Sequence, residues 1–364
     1  MRRPCAKKLK LVYLKSLYLR NFRNYKEASV SFSEKVNVLY GANAAGKTNL
    51  LEAIYLVATG RSFRTQNLQE LIREGESFFF LDARVLKEGV EQRVQISFDG
   101  QSRRLLLDAN SYSTLSPLLG NLPIVLCTPY DIELIARAPA ERRRFLNVHL
   151  AQSNPIYVHH LSRFWRAMKQ RNSLLRTKNL DTIECWEIEM AQSAEYIVKA
   201  RQEMLDELKK ELHQEVKDLT GKGETCEIQL QISAHPKNYL QQLQKNRLKE
   251  RDLGVTLTGP HRDDLSIAID RKEAKLFSSE GQKKTAITAL KLAEWELLFR
   301  KMGRPPLMGF DDLESVLDHE RQKLLRKRLV RLSQVFITTP HPPQGGEHCI
   351  QIDHGSLKEN EGLL

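Results

Sequence analysis

The chain has 364 residues, enough for two or three domains, and 41% of them are hydrophobic, as in an ordinary water-soluble protein. Its net charge of +12 points to an anionic partner, either a nucleic acid or an acidic membrane surface. No run approaches the 18 or more apolar residues of a membrane span, and the apolar stretch after the basic start is too short for a signal-peptide core. The five cysteines are scattered, with no C-x-x-C pair, and read as free thiols of a reducing cytoplasm.

In chain order, the first third reads as short strands: 28–32, 35–40, 82–87, 93–98 and 103–108 are rich in β-formers, with a hairpin turn at Asp99-Gly100. Between strand 35–40 and an apolar helical pattern from Leu50 to Val57 lies Gly41-Ala42-Asn43-Ala44-Ala45-Gly46-Lys47-Thr48. This is the G-x-x-x-x-G-K-[ST] pattern. Its glycines let the backbone curl so that several N–H groups face one anion at a helix start, where the dipole favours negative charge. Lys47 has the reach to touch β- and γ-phosphates, and the Thr48 hydroxyl suits Mg²⁺.

From about Pro139 to Thr220 the spacing of Trp186, Met190, Ile197, Met204, Leu208 and Leu212 predicts long helices, ending at Gly221. Residues 226–233 alternate like a strand, 239–248 return to helix, and 265–270 to strand. Residues 281–299 carry a helical period. Residues 305–310 form an apolar run that ends in Asp311 and Asp312, and 334–339 read as a buried strand. A strand that ends in an acid places the carboxylate at its C-terminal edge. Asp311 then suits the outer-sphere Mg²⁺ role and Asp312 the water-positioning role, which with Lys47 completes the catalytic set.

Lys47 and Asp311 lie 264 positions apart, with a helical segment between them. That layout resembles ATPases of the ABC and SMC group, whose head is split by an insertion. The segment SSEGQKK (278–284) strengthens the likeness: Ser279, Gly281 and Gln282 resemble a signature motif that completes the nucleotide site of a second subunit, and 315–318 resembles the loop after the acids.

Over nearly its whole length from Tyr13 the chain resembles the RecF family. The likeness rests on LRNFRNY (19–25), GANAAGKTNLLEAI (41–54), GRSFRT (60–65), PAERRRFLN (139–147), LTGPHRDDL (257–265), SSEGQKK (278–284), DDLESVLD (311–318) and QVFITT (334–339). The resemblance implies an α/β fold: an ABC-type ATPase head with mixed sheets (1–126 and 255–364) and an inserted, mainly α-helical lobe (127–254). It implies ATP and Mg²⁺ as cofactors, slow DNA-dependent hydrolysis and an ATP-driven homodimer. It further implies binding to single-stranded DNA and single-strand/duplex junctions, cooperation with RecO and RecR to load RecA, and roles in gap repair, fork maintenance and SOS induction. Asp312 is one methylene shorter than the glutamate common in ABC ATPases, in keeping with slow turnover.

The sequence departs from the family at Arg137 and Asn147, and over 128–135. Arg142, Arg143 and Arg144 are candidate DNA contacts, and Arg326, Lys327, Arg328 and Arg331 form a second basic group. His341, His348, Cys349 and His354 match no zinc spacing. The competing reading, the ATPase subunit of a membrane transporter, calls for a shorter insertion and a histidine shortly after strand 334–339.

Overall fold

A computed structural model describes residues 11–221, 223–342 and 347–360; the basic start with Cys5 lies outside them. Chain contacts divide the molecule into two compact units. The first comprises the described parts of Met1–Asp131, Asp218–Gly221 and Thr288–Leu364; the second comprises Ile132–Lys217 and Lys222–Ile287.

The first unit holds two six-stranded sheets. In one, Val36–Tyr40, Val335–Thr339, Leu307–Phe310 and Ile124–Cys127 run parallel in that spatial order, with His348–Asp353 parallel on the other side of Val36–Tyr40 and Ser356–Asn360 antiparallel at the edge. Leu307–Phe310, Val335–Thr339 and Ile124–Cys127 are buried at every position, as befits central parallel strands. The other sheet is antiparallel, with Val12–Phe22 pairing both Tyr25–Ser31 and Phe79–Lys87. Its hairpin Val90–Phe98/Arg103–Leu107 turns where expected: Gly100 is left-handed (φ 84°), and the Asp99 carboxylate accepts from the Gln101 and Ser102 amides. The sequence pattern did not reveal Val12–Phe22, Ile124–Cys127 or the strands after His348.

The second unit is built on three helices in the predicted region, Pro139–Ser153, Pro155–Thr177 and Ile183–Thr220, with Tyr239–Leu253 further on. Gly221 follows the longest in the left-handed conformation (φ 58°). This unit takes in residues 255–287, which the family layout assigns to the head. The local reason is strand pairing: Asp264–Ile269 runs antiparallel to Cys226–Gln231.

Candidate functional site

The loop after Val36–Tyr40 has the backbone that the glycine pattern demands. Gly41 (φ 154°), Ala44 (φ 65°) and Gly46 (φ 121°) all have positive φ. A Cβ at Gly41 would come within 2.1 Å of the Ile352 carbonyl oxygen, so this position accepts no side chain. The helix Lys47–Thr59 starts directly behind, and no side chain caps Gly46, so its first N–H groups face the loop. Lys47 donates through Nζ to the carbonyls of Gly41 (2.7 Å) and Ala42 (2.8 Å), and partial burial lowers its pKa.

A turn far back in the sequence braces this loop. Tyr25 donates its hydroxyl to the Gly46 carbonyl (2.9 Å), and Asn24 donates its amide to that of Ala45 (2.9 Å) and accepts from Asn49 (2.8 Å). Next to them, Glu52 is fully buried on the loop's own helix. Arg23 meets it with two bonds of 2.9 Å, Ser62 donates to it at 2.5 Å, and Arg64 reaches it at 3.3 Å. A cavity of about 660 Å³ opens here, lined by Arg23, Asn24, Asn49, Arg64, Ile72 and Arg73 among others. Glu70 and Glu74 also line it, so together with Glu52 the acids here balance Arg23, Arg64 and Arg73. The motifs LRNFRNY and GRSFRT carried these residues, but Glu52 is hidden in the apolar helix pattern.

Strand order brings the acids to the loop. Leu307–Phe310 lies two strands from Val36–Tyr40, with Val335–Thr339 between them, and Asp311 follows it. Asp311 accepts from the Thr48 hydroxyl (2.8 Å) and from the Thr338 hydroxyl (2.8 Å), and its amide donates to the Cys127 carbonyl (2.9 Å). Burial raises its pKa against the lowering effect of both hydroxyls. Asp312 is left-handed (φ 52°), with its amide on the Thr338 hydroxyl (2.7 Å). Thr338 thus positions both acids, a role no local pattern announces. A threonine hydroxyl and a carboxylate oxygen 2.8 Å apart form a hard oxygen donor pair that fits Mg²⁺.

Ser279 and Gln282 bond each other reciprocally at the start of helix Glu280–Met302: Ser279 N donates to Gln282 Oε1 (3.0 Å), and Gln282 N to Ser279 Oγ (3.2 Å). This is a capping box, and Gly281 next to it is exposed. Residues 315–318, which resemble the loop after the acids, fall partly in the short helix Leu313–Val316.

The three candidate DNA contacts of the basic run 142–144 differ in exposure. Arg142 is buried; it pairs with Asp264 (2.6 Å) and donates to the Leu134 and Arg137 carbonyls, so its charge is engaged inside the unit and not offered to DNA. Arg143 is half-buried on the Asp263 carbonyl (3.0 Å), while Arg144 stays near the surface beside Glu141 (3.7 Å). Asn147, one of the departures, accepts from the Tyr157 hydroxyl (2.6 Å) and from Arg201 (3.0 Å). Arg137, the other, makes an exposed pair with Glu133. In the second basic group, Arg328 pairs with Glu296. Of the four residues weighed for metal, His348 and Cys349 stand on a strand, and among the described residues no cluster of His, Cys, Asp or Glu could hold a metal.

The AAA domain family matches residues 16–298. The chain is 40% identical to the DNA replication and repair protein RecF of Protochlamydia amoebophila, over 90% of this chain and 94% of that one. It also superposes on a solved structure of the recombination mediator protein RecF-ATP in the RecFOR pathway. There the TM-score is 0.91 and the identity 30%, covering 98% of this chain and 100% of the other. An Smc head domain from Pyrococcus furiosus shares the fold alone, with a TM-score of 0.57, 18% identity and 96% of each chain covered. The chain is a member of the RecF family, with an α/β P-loop ATPase fold.

Proposed function

We propose that this protein is an ATP-dependent DNA-binding protein of recombinational repair, in which ATP closes a homodimer on DNA. The observation that carries the reading is the 2.8 Å contact of Thr48 with Asp311 beside the glycine-shaped loop 41–48, in a chain that belongs to the RecF family. Loop amides and Lys47 receive the phosphates; to do so Lys47 exchanges its bonds to Gly41 and Ala42 for phosphate oxygens. Thr48 and Asp311 would hold Mg²⁺, which would supply charge shielding of the phosphates. Asp312 orients the attacking water. The cavity at Asn24, Asn49 and Arg64 takes the ribose and base. Ser279, Gly281 and Gln282 open their capping box to face the nucleotide of a second copy.

DNA binds through phosphate contacts of a chain with net charge +12, doubled in the dimer. Single-stranded DNA and single-strand/duplex junctions, with RecO, RecR and RecA, are the partners, in keeping with the recombination-mediator description of its structural relative. Among the described residues, no helix is long and apolar enough to cross a membrane. The test is a titration of gapped DNA at one salt concentration, with and without ATP. We expect ATP to tighten DNA binding by about tenfold or more, with DNA tightening ATP binding by the same factor. An affinity that ignores ATP defeats the proposal.

A further inference from the structure

The helix Glu280–Met302 is lined with buried apolar residues, Ile287, Leu290, Leu297 and Leu298 among them, yet Lys291 is buried in the same stretch. A buried lysine costs desolvation that an apolar residue of the same length avoids, so a specific partner must justify it. Lys291 Nζ reaches Asp131 Oδ1 at 2.9 Å and Glu294 Oε2 at 3.8 Å. Burial alone would lower its pKa, but the two carboxylates outweigh burial and hold it above the ordinary lysine value.

Asp131 leads on to the metal-site acid. Its other carboxylate oxygen, Oδ2, accepts from the Thr128 amide (2.6 Å) and hydroxyl (3.0 Å). Thr128 follows Cys127, whose carbonyl accepts from the Asp311 amide (2.9 Å), and Asp311 accepts from Thr48. An unbroken path of short contacts thus runs from Lys291 to the end of the phosphate loop. Ser279, the residue that precedes this helix, stands twelve positions before Lys291 in the sequence. One turn on, Trp295 donates its indole N–H to the Pro306 carbonyl (2.8 Å), at the entry of the strand that delivers Asp311. The helix is therefore tied to two neighbouring strands, by a hydrogen bond at the entry of Leu307–Phe310 and by an ion pair just past the end of Ile124–Cys127, whose last carbonyl accepts from Asp311.

We propose that Lys291 is a positioning residue: through Asp131 and Thr128 it ties the helix that carries Ser279 to the strand end that holds Asp311. This rests on the composite-site reading, in which Ser279 faces the nucleotide of a second copy. Docking of Ser279 then loads the helix along its axis, and the ionic tie transmits the load to the acid that holds Mg²⁺.

The experiment compares Asp131→Asn, Lys291→Arg, Lys291→Met and Ser279→Arg in the full chain, following nucleotide affinity, ATP-driven dimerisation by light scattering, turnover and Tm. Asp131→Asn keeps its volume and an oxygen for Thr128. It should bind nucleotide within about threefold of wild type yet turn over about tenfold or more slowly. Lys291→Arg should recover most of the turnover. Lys291→Met leaves Asp131 and Glu294 facing each other and should also lower Tm. A merely structural pair would lower Tm without separating binding from turnover. Wild-type turnover and dimerisation in Asp131→Asn, or equal losses in affinity and turnover, would overturn the proposal. Ser279→Arg separates the two ideas: if it turns over and dimerises normally, the composite site itself is wrong, whereas its failure beside a normal Asp131→Asn condemns only the role of Lys291.

Discussion

Both units bury closed ion pairs, Lys291–Asp131 in the first and Arg171–Glu187 in the second, but the first also gathers charge at an open cavity. In the first, Glu52, Arg23, Arg64, Asp311 and Thr48 converge on a loop and a cavity open to a ligand. In the second, the charges close on one another. Arg171 is fully buried between Glu187 (3.0 Å) and Glu250 (2.7 Å), with Thr256 (2.9 Å) taking a further N–H. Arg201 and Asp263 are likewise closed off at 2.9 Å, with Tyr157 and the Pro260 carbonyl around the guanidinium. Both patterns look alike in a sequence, as dense polar motifs. What separates them is whether every donor is already engaged.

The largest effect expected from this contrast is in the second unit. Arg171→Met should leave Glu250 without its cation, while Glu187 keeps Arg247, and cost about 3–5 kcal/mol, because breaking one side of a buried pair leaves uncompensated charge. Chemical unfolding measures it. A cost below about 1 kcal/mol would mean that water reaches the cluster and that the two units differ less than their hydrogen bonds suggest. In the first unit the corresponding change should spare stability. Lys47→Ala removes a side chain bonded only to two loop carbonyls among its hydrogen-bond partners, so Tm should move by no more than a few degrees while affinity for ATP falls about tenfold or more. Calorimetric titration with a non-hydrolysable ATP analogue decides; wild-type affinity would exclude Lys47 from phosphate binding.

Arginines of one short run should divide along the same line. Arg142→Gln breaks a buried pair with Asp264 and should destabilise the second unit, with little effect on the salt dependence of DNA binding. Arg144→Gln should leave Tm alone. If Arg144 touches a phosphate, the slope of log affinity against log salt should shrink by about one. The reverse assignment, a slope change from Arg142 and none from Arg144, would return Arg142 to the DNA surface.

These contrasts also explain how much was legible beforehand. The loop 41–48 was legible because its eight residues act on one another locally, and Asp311 because an apolar run that ends in acid marks a strand end. Thr338 was not: its hydroxyl matters only because Val335–Thr339 lies between the loop strand and the acid strand, and spatial order is not written in the run itself. Glu52 stood inside LLEAI, where a helical period reads as core, and its partners come from 29 residues before and from 10 and 12 residues after. Arg142 to Arg144 looked equivalent because a basic run carries no sign of which member meets Asp264 across 122 positions. Local chemistry was readable; pairing across the chain was not.

The smallest predicted effect sharpens the account of the second unit through pH. His261 is largely enclosed; burial is the main cause that lowers its pKa, from 6.5 to about 4, and nearby Arg262, Arg143 and Arg171 act in the same direction. A ring nitrogen meets the Thr256 carbonyl at 3.2 Å, a contact that works the other way. Phe164 lies 5.8 Å from the ring. The unfolded chain takes up a proton near pH 6.5, whereas the folded chain resists until about 4, so between those values the unfolded state binds more protons. Stability contributed by neutral His261 is therefore complete above pH 6.5 and is lost as pH falls toward 4. His261→Gln keeps a donor for Thr256 and removes the titration. Measured by unfolding midpoint from pH 7 to pH 5, wild type should lose more stability than His261→Gln, by a difference of about 1 kcal/mol once solvent screening is allowed for. Parallel curves for the two proteins would show that His261 takes up its proton at the same pH folded and unfolded, and that this part of the unit is not closed to water.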